Sequence, residues 1–224
     1  MSDGQHDPFW MDPSEANDEG LVGVGGDLAP ATLLRAYGSG VFPWYNDGDP
    51  ILWWSPDPRS IFEMDGFHCS RSLAKTMRSG KFRHSYDRCF GAVMQACGAT
   101  RPEGTWVTDD MVTAYVRLHE LGHAHSVETW VKCADADDEW ELAGGVYGIG
   151  IGGFFAAESM FHYVSDAGKV ALLLLADRLR SKGFTLVDTQ MRTEHTTKMG
   201  AVDIPRDEYL RRLRRAIADT DVRF

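Results

Sequence analysis

A glycine-rich, apolar run in the second half of the chain constrains the fold more than any other feature. Two apolar stretches, residues 142–151 and 154–161, flank a glycine-rich turn and predict two neighbouring strands. A buried helix is predicted over residues 168–182, and a further strand over residues 184–190. Since helices and strands are mixed, and adjacent strands suggest antiparallel pairing, the sequence predicts an α+β fold.

Helix-capping residues mark several other predicted helices. Ser70 is predicted to cap a helix that runs to about residue 77, and Ser85 another that runs to residue 98. Thr108, followed by two aspartates, predicts a helix that stops at Gly122. The remaining predicted elements are a helix over residues 27–37, strands over residues 51–54 and 125–131, and a last helix over residues 206–218.

A change in composition near Pro58 predicts a domain boundary. Residues 1–20 are acidic and lack periodicity, so we expect them to be loosely structured. Residues 40–59 are dense in Trp, Pro, Gly and Asp, which is typical of a tight loop around one short strand. We therefore expect a small N-terminal domain over residues 1–57 and a larger domain over residues 58–224.

The net charge of the chain argues against a nucleic-acid partner, but the distribution of that charge does not. The 224 residues carry a formal net charge of −10, whereas phosphate binding usually leaves a basic surface. Between residues 71 and 88, however, there are six cationic side chains and a single acidic one. Alone, this cluster indicates a solvated helix face. Beside the motifs below, it becomes a candidate nucleic-acid contact.

No sequence feature predicts a membrane span or an export signal. No stretch approaches the roughly 18 apolar residues of a membrane span, and the N-terminus lacks the basic and apolar regions of a secretory signal. We therefore expect a cytoplasmic protein. Its four scattered cysteines are expected to be reduced thiols, not a disulfide framework or a zinc site.

Two short motif matches are rejected because of their structural context. Residues 119–123 fit the HExxH pattern of zinc peptidases, which requires helix geometry across both histidines. The predicted helix stops at Gly122, so the second histidine falls outside it. Gly148, Gly150 and Gly153 fit GxGxxG, but a dinucleotide site needs a helix after those glycines, and here a strand follows. We interpret the glycines as a hairpin turn or a place of close backbone approach.

The last predicted strand carries side chains suited to a reaction site. Because side chains on a strand alternate with period two, Phe184, Leu186, Asp188 and Gln190 share one face. Two apolar positions followed by a carboxylate and an amide indicate a strand whose end leaves the core and enters a site.

Ten longer motifs occur in one order along the chain, and as a set they are more specific than any of the features above. They are GGDL (25–28), GVFPW (40–44), ILWWSPDPR (51–59), SRS (70–72), EGTWVT (103–108), LHELGHAHSVE (118–128), GGVYG (144–148), AESMF (157–161), VDTQ (187–190) and GAVDIPR (200–206). With this ordered set the chain resembles the bacterial leucyl/phenylalanyl-tRNA–protein transferases, over about residues 20–215.

The resemblance implies an enzyme with a small N-terminal domain and a C-terminal domain similar to GNAT acyltransferases, which has a mixed, largely antiparallel sheet. Members of the family move Leu, Phe or, less often, Met from an aminoacyl-tRNA to a protein that begins with Arg or Lys. The product is then recognised by the bacterial N-degron degradation pathway. The implied partners are the charged tRNA and the acceptor protein. No metal, ATP or coenzyme is implied, and we expect a monomer.

The resemblance also implies which residues form the site. It places Asp188, Gln190 and Glu158 at the reaction centre, where the Gln190 carbonyl orients the attacking amine. Asp188 is expected to hold either Gln190 or the cationic acceptor terminus, and both roles remain open at this point. The implied substrate-binding residues are Trp44 and Trp106 beside the terminal adenosine, and Val146, Phe155, Ser159 and Met160 around the aminoacyl group. The implied tRNA contacts are Arg71, Lys75, Arg78, Lys81 and Arg83.

Two further hypotheses remain beside this one. An N-acyltransferase that uses acyl-CoA would share the fold, but the basic, glycine-rich loop that such enzymes use for pyrophosphate is not found. A non-catalytic tRNA-binding module would account for the basic cluster and the tryptophans. Val146 stands where the family often has Met, which bears on the choice of donor amino acid.

Overall fold

The computed structural model describes residues 9–100, 107–133 and 139–224. The helices are α1 (Pro30–Gly38), α2 (Arg71–Arg78), α3 (Phe90–Ala99), α4 (Asp109–Glu120), α5 (Ala167–Lys182), α6 (Glu194–Lys198) and α7 (Arg206–Ile217). The strands are β1 (Leu21–Val24), β2 (Phe42–Pro43), β3 (Leu52–Trp54), β4 (Arg59–Phe62), β5 (Phe82–Tyr86), β6 (Ala124–Lys132), β7 (Trp140–Ile151), β8 (Phe154–His162), β9 (Leu186–Asp188) and β10 (Val202–Ile204).

The strands form a small sheet and a large one. The small antiparallel sheet has the order β1–β3–β2, and the large sheet has seven strands in the order β10–β4–β9–β8–β7–β6–β5. In the large sheet only β8 and β9 are parallel neighbours, and α5 makes the crossover that a parallel pair requires. The predicted α+β class and its mixed, largely antiparallel sheet are confirmed.

Helices cover both faces of the large sheet. α5 packs on β6, β7 and β8, with α2 beside it, while α3 packs on the same strands from the other side, next to α4, which packs on β6. α7 contacts β8 and β9, next to α1. Buried apolar side chains accordingly form two clusters, one around α5 and the other around α1, α3, α4 and α7. No helix within the described ranges is both long and apolar enough to span a bilayer.

The glycine-rich segment forms the hairpin between β7 and β8, as interpreted from the sequence. A Cβ at Gly148 would lie 2.1 Å from the Ala156 carbonyl oxygen, so any larger residue would displace the neighbouring strand. Gly152 turns the chain with φ of +53°, a conformation that glycine adopts readily. β8 follows directly, so these glycines do not precede a helix.

The end of α4 separates the two histidines of the HExxH match. The Thr108 hydroxyl accepts a hydrogen bond from the Met111 amide at 3.3 Å, so the predicted cap of this helix is confirmed. The helix ends at Glu120, and His123 lies beyond it. His119 Nδ1 is 2.8 Å from the Ala124 carbonyl oxygen, which places this histidine in the helix–strand junction.

Two predicted elements are wrong in their bounds. Ser85 does not cap a helix, because it lies in β5 and its hydroxyl donates to Glu128 at 2.5 Å; the helix begins only at Phe90. The strand predicted over residues 184–190 is limited to β9. The prediction that Phe184, Leu186, Asp188 and Gln190 share one face is also wrong. Phe184 packs in the apolar cluster around α5 and Leu186 in the other cluster, and Gln190 lies beyond the end of β9.

The N-terminal segment is also more ordered than expected. Within residues 9–20, Trp10 is buried and its ring lies 4.9 Å from that of Trp53. Burial of two large aromatic side chains against each other lowers the free energy of the folded state and so orders this segment. Trp53 is itself fully buried in the apolar cluster that contains Tyr115 of α4. The apolar core thus continues across Pro58, and the two-domain division remains a prediction.

Candidate active site

Asp188 lies at the end of β9 and is completely buried. Arg59 binds its carboxylate with two donors, Nε to Oδ1 at 2.9 Å and Nη2 to Oδ2 at 2.6 Å. The Tyr209 hydroxyl donates to Oδ2 at 3.0 Å, and the Gln190 backbone amide donates to Oδ1 at 2.9 Å. A buried carboxylate needs such partners. These four hydrogen bonds all come from the protein itself.

Gln190 follows β9 in a tight turn. Its φ is +56°, and the Met191 amide donates to the Thr189 carbonyl across it at 2.7 Å. A non-glycine residue in this region of φ is strained, and such residues concentrate at functional sites. The side-chain Nε2 donates to Glu158 Oε1 at 2.9 Å, which leaves Oε1 of Gln190 as the acceptor atom of this amide.

Glu158 reaches Gln190 because β8 contains a bulge. Tyr147 pairs with Ser159 and Gly148 with Ala157, so Glu158 is an extra residue that has no pairing partner on β7.

Two tyrosines lie behind Glu158. The Tyr37 hydroxyl interacts with the Glu158 carboxylate and lies 2.6 Å from the Tyr115 hydroxyl. Burial raises the pKa of Glu158 to about 8, and the nearby Asp188 adds to the rise, although Tyr37 and Arg59 oppose it. The site therefore contains a carboxyl group that titrates near neutral pH.

Two cavities meet at this pair. The first, which we call the apolar cavity, has a volume of about 330 Å³, and the second, the Trp44 cavity, about 240 Å³. Both have Glu158, Thr189, Gln190, Met191 and Thr193 in their walls. The apolar cavity is further lined by Phe62, Val146, Ala157, Ser159, Met160, His162, Leu172, His195 and Thr196, and the Trp44 cavity by Phe42, Pro43 and Trp44.

The structure therefore brings most of the predicted catalytic and substrate-binding residues together. Asp188, Gln190 and Glu158 are linked by hydrogen bonds, Val146, Ser159 and Met160 line the apolar cavity, and Trp44 lines its neighbour. Phe155 is an exception. It is fully buried, lines neither cavity, and packs against Phe184 and Phe224 with ring centroids 6.0 and 5.7 Å away. Trp106 lies outside the described residues.

The basic cluster lies elsewhere. Arg71, Lys75 and Arg78 are exposed on α2, and Arg83 is exposed on β5, an edge strand. Three strands separate β5 from β9 in the large sheet. Among the described residues no carboxylate forms an ion pair with these side chains or with Lys81. Within the described part of the chain, the cluster thus presents positive charge without an acidic partner, although the net charge of the chain is negative.

Comparison with known proteins identifies the family. The sequence profile described as "Leucyl/phenylalanyl-tRNA protein transferase" matches residues 61–214, and the profile of the corresponding N-terminal domain matches residues 26–57. The chain belongs to the leucyl/phenylalanyl-tRNA–protein transferase family.

Two named relatives illustrate how far the similarity extends within this transferase family. A leucyl/phenylalanyl-tRNA–protein transferase from Magnetococcus marinus is 50% identical over 216 residues, which cover 96% of this chain and 90% of the relative. Another from Anaeromyxobacter sp. (strain K) is 49% identical over 220 residues, which cover 97% of this chain and 91% of the relative. A solved structure of a functionally unknown conserved protein from Staphylococcus epidermidis ATCC 12228 aligns with a TM-score of only 0.44, at 10% identity over 83% of this chain and 68% of that one.

Sequence reasoning missed four polar residues of this candidate site. Arg59 offered a signal, because it begins the strand β4 two residues before Ile61 and Phe62, and a charged side chain in a buried strand requires a partner. Tyr37, Tyr115 and Tyr209 offered none, since each occupies an apolar position of an amphipathic helix and only the fold brings it to a carboxylate.

Proposed function

We propose that this chain transfers Leu or Phe, and less often Met, from an aminoacyl-tRNA to the N-terminal Arg or Lys of an acceptor protein. Membership of the transferase family supports the reaction class. The observation that carries the proposal at the level of the site is the meeting of two unlike cavities at Glu158 and Gln190. Both are mostly apolar, but one has Val146, Met160 and Leu172 in its wall and the other has an exposed tryptophan, as an aminoacyl-adenosine would need.

The two cavities suit the two ends of the aminoacyl-adenosine. Trp44 offers an indole face to the terminal adenine, and a base stacked on an aromatic side chain gains about 1–3 kcal/mol. Val146, Met160 and Leu172 offer apolar surface to the Leu or Phe side chain. With its ends so placed, the ester carbonyl lies at the shared wall beside Gln190.

The reaction needs position more than covalent help, because the aminoacyl ester is already activated. The amine nitrogen of the acceptor forms a bond with the ester carbonyl carbon, and the bond from that carbon to the ribose oxygen breaks. The nitrogen loses one proton and the ribose oxygen gains one, so an amide and a free tRNA 3′ end result. Holding both reactants in register contributes up to about 7–11 kcal/mol.

Gln190 and Asp188 take different roles in this proposal. The Gln190 Oε1 accepts a hydrogen bond from the attacking amine and directs its lone pair at the ester carbonyl. Asp188 holds Gln190 in place through the backbone amide, since its carboxylate is buried and already has four donors. Of the two roles that the sequence left open, the geometry favours this one over direct contact with the acceptor.

The rest of the proposal concerns the wider molecule. The exposed cations of α2 and β5 are proposed to bind the phosphates of the tRNA, a role that requires positive charge unmatched by nearby acids. The larger domain is proposed to be GNAT-like, with its boundary near Pro58. The protein is proposed to act as a monomer in the cytoplasm, where its products enter the N-degron pathway.

A peptide-labelling assay tests the proposed function. The protein is incubated with tRNA charged with labelled Leu, Phe or Met and with a peptide that begins with Arg; a peptide of identical sequence after an initial Gly is the matched control. Label is expected on the Arg peptide alone, with Leu and Phe ahead of Met. In a parallel reaction, a labelled acyl-CoA replaces the charged tRNA, and label that reaches the peptide only there would favour the N-acyltransferase. Filter binding of the charged tRNA is measured alongside, and binding without transfer would favour a non-catalytic module.

A further inference from the structure

Arg59 joins both walls of the site. Its Nε and Nη2 bind the Asp188 carboxylate of β9, while its Nη1 donates to the Gly40 carbonyl oxygen at 3.1 Å. Gly40 begins the short segment that continues through Phe42 to Trp44. A single guanidinium therefore ties the strand that precedes Gln190 to the segment that forms the Trp44 cavity.

The surroundings of Arg59 keep it in that geometry. The side chain is 1% exposed, and its guanidinium carbon lies 4.8 Å from the centroid of the Phe42 ring and 4.4 Å from that of the Tyr209 ring. The Tyr209 hydroxyl also contacts Nη2 at 3.3 Å and donates to Asp188. Planar donors held between two rings leave the ion pair little freedom to rearrange.

We infer that Arg59 and Tyr209 are positioning residues of the reaction, which act through Asp188 to fix the Gln190 turn against the Trp44 cavity. The inference rests on the proposed transfer. Asp188 meets the Gln190 backbone through the same oxygen that accepts from Arg59 Nε, so a movement of the carboxylate displaces the strained turn. The side-chain amide of Gln190 would then no longer face the ester carbonyl, although the substrates could still bind.

Tyr209→Phe provides the cleanest test, because it removes one hydroxyl and leaves the ring on Arg59. We expect kcat for transfer from Leu-tRNA to the Arg peptide to fall about tenfold, with the Kd of the charged tRNA unchanged. Asp188→Asn is expected to lower kcat further. In the Asp188→Asn background, Tyr209→Phe should cause little additional loss, because two residues that act through one contact are not additive.

Arg59→Lys tests the link between the two walls. Lysine keeps the charge but loses the planar fork, so we expect kcat to fall and KM for the charged tRNA to rise, as the Trp44 cavity shifts against Gln190. Arg206→Lys is the matched control. Arg206 donates to the Ser55 carbonyl at 2.7 Å and so ties α7 to the N-terminal part of the chain, but it contacts no site residue. Its kinetic constants should stay at wild-type values.

The outcomes separate this inference from the proposed function. A wild-type protein without transfer activity contradicts the transfer and this role together. An active wild type whose kcat is unaffected by Tyr209→Phe contradicts only the inference. So does a full additional tenfold loss in the Asp188→Asn background, because Tyr209 would then act independently of Asp188. Unfolding midpoints of all variants, measured in parallel, identify any loss that comes from the fold.

Discussion

Gln190 Nε2 lies 2.9 Å from Glu158 Oε1, so the orientation of the Gln190 amide depends on the protonation state of Glu158. With the carboxylate of Glu158 as acceptor, Nε2 points to it and the carbonyl oxygen is presented to the cavities. Protonation of Glu158 would weaken that preference, because a neutral carboxyl can also donate to Oε1. Since the pKa of Glu158 is raised to about 8 by burial, the protonation state of this residue changes within the range in which enzymes work.

The raised pKa of Glu158 predicts a particular dependence of stability on pH. Because the folded pKa lies above the value of about 4.5 expected in the unfolded chain, the folded state holds the extra proton between those values. The contribution to stability is complete below the unfolded pKa and is lost as the pH rises through about 8.

Urea unfolding of the wild type and of Glu158→Gln from pH 6 to pH 9 measures this contribution. The free energy of unfolding should decline more steeply in the wild type, since the variant has no proton to lose at this position. Glu194→Gln, at an exposed surface pair, serves as the control and should follow the wild type. Parallel curves for the wild type and Glu158→Gln would mean that the carboxyl group titrates at its ordinary pKa.

Trp44→Ala is expected to weaken binding of the charged tRNA by about 5- to 150-fold, which corresponds to the loss of about 1–3 kcal/mol of base stacking. The Trp44 backbone should stay in place, because the Trp54 indole donates to the Trp44 carbonyl oxygen at 2.7 Å and this bond survives the substitution. Filter binding with Leu-tRNA measures the effect, and Trp44→Phe should retain part of the affinity. An unaltered Kd in Trp44→Ala would mean that the terminal adenosine does not bind in this cavity.

Val146→Leu is expected to change donor choice. Val146 pairs with Met160 in the wall of the apolar cavity, and an added methylene there takes space that the Phe ring needs. One methylene in such a cavity is worth about 1–3 kcal/mol, so the ratio of kcat/KM for Leu over Phe should rise about tenfold.

The control for donor choice is Phe155→Leu. Phe155 belongs to the same face of the sheet but lines neither cavity, so its truncation should lower stability without altering the donor ratio. If instead Phe155→Leu changes the ratio and Val146→Leu does not, the donor side chain occupies a different part of the sheet face.

The sequence predicted the parts of this structure that depend on local pattern. The hairpin of β7 and β8 and the long helix α5 follow from hydrophobic periodicity and terminal glycines. β4 was not predicted, because it pairs with β9, a strand more than a hundred residues further along the chain, and no local pattern records that partner.

In the candidate site, too, the sequence predicted what depends on local pattern and not what depends on distant contacts. Asp188 and Gln190 were singled out from their spacing and their motif, but the turn that separates their roles was not. A positive φ at a glutamine has no sequence signature, because the surrounding contacts impose it. Likewise the bulge that brings Glu158 to Gln190 comes from the register between β7 and β8, and no single residue encodes it.

The salt dependence of tRNA binding tests the basic cluster. Each phosphate contact releases about one counterion, so the slope of log K against log salt should decrease by about 1 to 2 when Arg71 and Lys75 are both replaced by Gln. Both side chains are exposed on α2 and lack a carboxylate partner among the described residues, so their loss should cost little stability.

Arg211→Gln with Arg215→Gln is the matched control for that measurement, since it removes two exposed arginines from α7 and changes the net charge equally. If both pairs lower the slope alike, the tRNA responds to the overall charge and not to a docking surface. If only the α7 pair lowers it, the acceptor stem lies along α7. A decrease confined to the α2 pair places the tRNA backbone against α2, on the side of the large sheet that α5 covers.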